Sequence, residues 1–282
     1  MLSRRILLRV FRYLGLSILF ILALFVFYLF IILKPSNNRN WEFGYETLPT
    51  LTINDQSIDI HNLRDYQLRP DKSVSGNYRE RSIDPDRIQK VWFMVEPFGK
   101  FSAVAHTYFT FDFQNEDPLV ISIEARREKG EQYEAFRGAF NNFELMYVWG
   151  TEGDETIRRI VHEHNKVYMY PLNISQNGAM QLLAQLASET HKLETRPRFY
   201  NTIVSNCTNE LAKAANRVKP GTIPFNLGLF LPGLSVNELY KLGLIPNNIP
   251  LEKVMEKYFI SDFVNRSYTD SDFSSKLRSF LN

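Results

Sequence analysis

Cys207 is the single cysteine of a 282-residue chain, and it stands in the run Ser205-Asn206-Cys207-Thr208-Asn209-Glu210. One thiol forms no internal disulfide and cannot by itself build a cysteine zinc site. Asn206 is a favoured helix N-cap. Cys207, Leu211, Ala214, Ala215 and Val218 follow it at helical spacing, so the pattern predicts a helix that begins at the thiol. In that first turn the positive end of the helix dipole favours the thiolate, the nucleophilic form of sulfur. The chemistry on offer is covalent catalysis by a cysteine nucleophile. The competing reading is a buried cysteine packed as a small hydrophobe.

A thiol nucleophile needs a base, and there are five histidines to choose from. His61 and His191 stand in polar, exposed-looking surroundings. His162-Glu163-His164 has the look of a metal pair. A strand over Thr156 to His162, continued, would place both imidazoles on one face, but no third ligand lies nearby, and no metal or other cofactor is expected. His106 differs. It lies in Ala103 to Phe113, where Ala105, Thr107, Phe109, Phe111 and Phe113 alternate with His106, Tyr108, Thr110 and Asp112. A turn at Asn115 to Pro118 leads into Leu119 to Ala125, where Ser122 and Glu124 take the face opposite to Leu119, Ile121 and Ile123. The hairpin predicts His106 and Glu124 on one polar face. A histidine there can take the thiol proton, with the carboxylate holding its tautomer. A core histidine satisfied by backbone is the alternative, and spacing alone leaves both open.

The surrounding elements must position these groups. Hydrophobic residues make up 44% of the chain and charged residues 23%, enough for a packed core. The net charge of +2 points away from a nucleic-acid partner. Arg4, Arg5, Arg9 and Arg12 precede Leu14 to Leu33, twenty residues without a charge. That length spans a bilayer as a helix, and Ile31-Ile32-Leu33-Lys34-Pro35 offers no small-residue cleavage site, which favours an uncleaved anchor over a signal peptide. The arginines are expected to stay cytoplasmic and the rest to lie outside the inner membrane. The expected divisions are 1–34, cytoplasmic end and anchor; 35–83, linker and an approach arm with short strands about an Asn54-Asp55 turn, followed by His61, Arg64, Asp65 and Arg69; 84–249, the thiol domain; and 250–282, a tail with one helix. Within the domain, strands are expected near 91–96, 143–149, 156–162 and 166–172. A short helix is expected over 133–140, a long one over 173–193 capped by Ser175, and one from Ser235 to Leu242.

Ala105-His106-Thr107, Ile121-Ser-Ile-Glu-Ala-Arg126, Glu128-Lys-Gly-Glu131, Phe143-Glu-Leu-Met-Tyr-Val148, Tyr200-Asn201…Ser205-Asn-Cys-Thr208, and Leu231-Pro-Gly-Leu234 with Leu239-Tyr240…Leu242-Gly-Leu244 occur in that order. This series resembles the Lnb N-terminal periplasmic domain family, named for the lipoprotein N-acyltransferase of Bacteroides, over roughly Asp84 to Ile245. The resemblance implies a thiol-dependent extracytoplasmic domain, with the nucleophile at Cys207 and the base at His106. Asn209 stands where the pattern has a second threonine, a departure that bears on helix capping. The histidine-before-cysteine order looks like the circularly permuted papain-like (NlpC/P60-like) arrangement. The expected fold is therefore α+β, an antiparallel sheet with packed helices after one transmembrane helix. Glu124 is assigned the third catalytic position from strand geometry, and Arg126, Tyr108 and Asn206 are taken as substrate-binding. The expected activity is acyl transfer or hydrolysis on a membrane lipid or lipoprotein. A cell-wall peptidase or amidase and a non-catalytic envelope scaffold are the alternatives.

Overall fold

A long apolar segment can satisfy its backbone in lipid only by hydrogen bonding within itself, as a helix. The computed structural model describes residues 4–68, 74–99 and 102–282. It has that helix as α1, Arg4–Phe27, continued by a π-helical turn over Tyr28–Ile32. Leu8–Phe27 has a mean hydropathy of 2.4 and is long and apolar enough to cross a membrane. Met1 to Ser3 and Arg69 lie outside the described residues. Met1–Ser36 forms one compact unit and Asn37–Asn282 a second.

In the second unit nine strands make one sheet: β1 Thr50–Ile53, β2 Ile58–Leu68, β3 Val74–Ile83, β4 Ile88–Pro97, β5 Ala105–Phe113, β6 Glu116–Arg126, β7 Phe143–Gly150, β8 Tyr168–Pro171 and β9 Phe199–Tyr200. The order is β1-β2-β7-β6-β5-β4-β8, with β3 on β2 and β9 on β7. Every pairing is antiparallel except that of β2 with β7, which are parallel where Arg64 meets Gly150.

Alternation divides the two faces. Thr107, Phe109, Phe111, Ile121, Ile123, Tyr147 and Trp149 point toward helices α3, Gln176–Thr195, and α4, Cys207–Val218; all are buried. Trp149 donates its indole N–H to Thr190 of α3, and Tyr147 its hydroxyl to Glu210 of α4. The other face carries His106, Tyr108, Asp112, Ser122 and Glu124, and is covered partly by a π-helix over Gly153–His162. The short helices are α2 Ala135–Gly138, α5 Ser235–Lys241, α6 Leu251–Lys257, α7 Ser261–Ser267 and α8 Phe273–Leu281. The architecture is the expected α+β class with one N-terminal apolar helix.

Three expectations change. The stretch read as an approach arm supplies β1, β2 and β3 to the same sheet. A bulge between Ile60 and Leu63, with Asn62 at φ 62°, flips the alternation midway and disguises the length of β2. Thr156 to His162 is π-helical, not a strand. Its inward face is charged, with Asp154, Glu155 and Arg159 buried, so the usual apolar-inward pattern does not mark it. The helix ends at His162 and His164 follows at φ 58°, so the two imidazoles do not share a strand face. The tail has three helices, not one. In α8, Phe273, Leu277 and Leu281 are buried at intervals of four among serines and charges.

Candidate active site

Asn206 caps α4, and its side-chain oxygen accepts from the Asn209 N–H at 2.8 Å. The Asn206 N–H in turn donates to the side-chain oxygen of Asn209 at 3.3 Å, closing a capping box. Asn209 thus does the local work that its departure from the threonine pattern put in question. Asn206 also donates its amide to the carbonyls of Thr202 and Leu229, each at 2.8 Å. The cap therefore fixes both the helix start and the two segments beside it, and Cys207 is held rigidly at position N1, 2% exposed.

His106 is the second residue of β5. Its Nε2 lies 2.7 Å from Ser122 Oγ and 3.2 Å from Glu124 Oε1. Ser122 in turn donates to Glu124 Oε1 at 2.7 Å. The register that pairs Tyr108 with Ser122 brings His106 opposite Glu124, as alternation anticipated. Cys207 and His106 arrive from different layers and both line a cavity of about 460 Å³ together with Glu124.

The electrostatics follow from this packing. Burial opposes charge on His106, but Glu124 first and Cys207 second outweigh it and push the ring up to about 10. Burial likewise opposes the Cys207 thiolate. The charge and hydrogen bond of His106, aided by the backbone N–H and hydroxyl of Thr107, hold the thiol below its ordinary value nonetheless. Glu124, raised by burial, is brought well below the usual carboxylate range by His106 and Arg159. The packing thus favours charge on both the thiol and the ring, with a carboxylate behind the ring.

Sequence reasoning missed Arg159. Its guanidinium reaches Glu124 at 2.7 Å, Glu96 at 2.9 Å and Glu155 at 2.9 Å, and lies 5.2 Å from the centre of the Tyr108 ring. Glu155 and Asp154 also pair with Arg64 of β2, so a buried charge chain runs from β2 to the histidine. Ser122 was seen only as a residue sharing a face with Glu124. Its proximity to both His106 and Glu124 is the signal that could have marked it.

The residues taken as substrate-binding divide. Asn206 lines the cavity. Tyr108 is fully buried, its ring stacked on His106 with centroids 5.6 Å apart, so it supports the base from beneath. Arg126 is turned elsewhere: it donates to the carbonyls of Tyr45 and Glu46 at 2.7 and 2.8 Å and sits over the Trp41 ring. The cavity is lined instead by its neighbour Arg127. Among the described residues no cluster of three metal-ligating side chains occurs.

A family model described as the Lnb N-terminal periplasmic domain matches residues 75–230, more than half of the chain. No curated protein and no solved structure matches it.

Proposed function

Because the chain belongs to the Lnb N-terminal periplasmic domain family, an extracytoplasmic, envelope-related assignment, we propose that it is a membrane-anchored thiol acyltransferase or hydrolase acting on the acyl groups of a lipid or lipoprotein. One observation carries this reading: Cys207 and His106 line one cavity of about 460 Å³, and Glu124 stands 3.2 Å from the histidine ring. The N-terminal apolar helix and the periplasmic domain fit a single-pass membrane protein, which keeps such a site beside its substrate.

In this reading the Cys207 sulfur attacks an ester carbonyl, and the carbon–sulfur bond forms as the carbonyl π electrons move to oxygen. The backbone N–H groups of Cys207 and Thr208 stabilise that oxyanion. The carbon–oxygen bond then breaks, and His106 gives its proton to the leaving alkoxide. An amine or water attacks the thioester, loses its proton to His106, and the carbon–sulfur bond breaks to restore the thiolate. Glu124 holds the ring oriented throughout.

Arg158, Glu163 and Asn165 make one wall of the cavity polar, and this favours a second reading, an amidase acting on peptide. The full chain in detergent would be given phospholipid with an amine acceptor, or a cell-wall peptide, and released lysolipid or cleaved peptide followed. Lysolipid release that vanishes in Cys207→Ser supports the first reading, and peptide cleavage alone the second. Undiminished lysolipid release by Cys207→Ser would end the thiol mechanism.

A further inference from the structure

Several of the exposed large apolar side chains of the folded unit lie on, or beside, segments that line the cavity. Phe98 and Val104 are joined by the Phe98 N–H donating to the Val104 carbonyl at 2.8 Å, and both line the cavity. Leu231 lines it from a neighbouring segment, which Gly233 brings against residues 102–103: a Cβ at Gly233 would sit 1.7 Å from the Ser102 carbonyl oxygen. Phe136, 75% exposed, follows the lining residue Ala135. Val204, 61% exposed, comes two residues after the lining residue Thr202. Phe225, 82% exposed, meets the ring of the lining residue Phe230 edge-on at 5.3 Å.

Hydrogen bonds make three of these segments contiguous. Thr202 Oγ1 donates to the Ala135 carbonyl at 2.8 Å, and Asn206 bridges the Thr202 and Leu229 carbonyls. Contiguous apolar surface of this kind marks an interaction site. Phe136 and Phe225 project outward where a rigid partner would call for a groove, which suits insertion into a fluid phase. The chain leaves its apolar helix at Ile32 and enters the folded unit at Asn37. So short a connection, about 15 Å at full stretch, keeps the unit at a membrane surface without fixing its orientation.

We infer that the cavity rim is a membrane-docking face, on which Phe98, Val104, Phe136, Val204, Phe225 and Leu231 enter the headgroup–acyl boundary so that the mouth opens onto lipid. The inference goes beyond the catalytic reading and does not depend on it.

The test uses the full chain carrying Cys207→Ser, so that catalysis plays no part. Phe136→Cys, Val204→Cys and Phe225→Cys each take a spin label, with Ile53→Cys and Phe280→Cys as exposed controls away from the cavity. Each is reconstituted in phosphatidylcholine–phosphatidylglycerol vesicles, and collisions with oxygen, concentrated in lipid, are compared with those of a water-soluble nickel chelate. Oxygen should dominate at the three rim positions and nickel at the two controls. Nickel dominance at all five overturns the inference. Spin–spin broadening at the rim that disappears on dilution with unlabelled protein also overturns it, by assigning the face to a second copy.

Discussion

Cys207 should react as a thiolate at neutral pH, because the charge of His106 lies against it. Its alkylation rate by a neutral reagent should inflect below the ordinary thiol value of about 8.5 and stay high above that inflection. His106→Ala should move the inflection up; an ordinary inflection indifferent to that change would leave only a structural cysteine. His106→Ala and Cys207→Ser should each abolish turnover with the thermal transition intact, and Glu124→Gln should be milder. The double variant should be little worse than either single one, since the pair acts as a unit. The proton on His106 also bears on stability. In Cys207→Ser the thiolate is gone but Glu124 still raises the ring. A raised base stabilises fully below its unfolded value, about 6.5, and loses that contribution as pH climbs through the folded one. Urea midpoints of Cys207→Ser should therefore fall from pH 6 to pH 9 more than those of Cys207→Ser/His106→Gln. At this scale the sequence was readable where one strand's alternation or one helix's cap decided the matter. That is why the shared face of His106 and Glu124 and the Asn206 cap could be read ahead of the structure. Arg126 and Arg127 were confused because a one-residue step reverses the face, and nothing in the pattern said which arginine Trp41 would claim.

Among the elements, the pattern concealed the π-helix over Gly153–His162, since it turns charge inward against Arg64, Glu96 and Glu124. Strands β4 to β8 and helices α3 and α4 were legible because their apolar residues face the core at regular spacing. The bulged β2 and the serine-rich tail helices were not, for want of that regularity. Arg159 is a positioning residue in this element. Arg159→Met strips the buried Glu96 and Glu155 and the partly buried Glu124 of a shared cation, and breaking a buried pair typically costs about 3–5 kcal/mol, readable in the urea midpoint. Arg159→Lys keeps the charge but offers a single compact group where a planar fork spans Glu96, Glu124 and Glu155. If Arg159 acts through Glu124, this variant should raise the Cys207 alkylation inflection even where stability survives; an unmoved inflection would make its role purely structural.

Over the whole molecule, the arginines at positions 4, 5, 9 and 12 all precede the uncharged run that starts at Leu14, so the N-terminus is expected in the cytoplasm and Cys207 outside it. An impermeant thiol reagent, applied with any outer membrane opened, should label Cys207 in intact cells; labelling only after inner-membrane lysis would reverse the topology, given that the unfolded protein reacts. The sheet has a consequence for descent. The family match begins at residue 75, inside β3, and ends at 230. Yet β2 lies upstream and is the hydrogen-bonded neighbour of β7, while Arg278, downstream on α8, clasps Asp112 of β5 at 2.7 Å. A stretch so interleaved with its flanks cannot be shuffled between proteins as a cassette cut at 75 and 230. Such a graft would bare an edge of β7 and leave Asp154 and Glu155 without Arg64. A splice between Ser36 and Asn37 falls at the boundary of the two units, so an exchange of anchors leaves the sheet whole. Lineages could thus trade the apolar helix freely while inheriting everything after it as one piece.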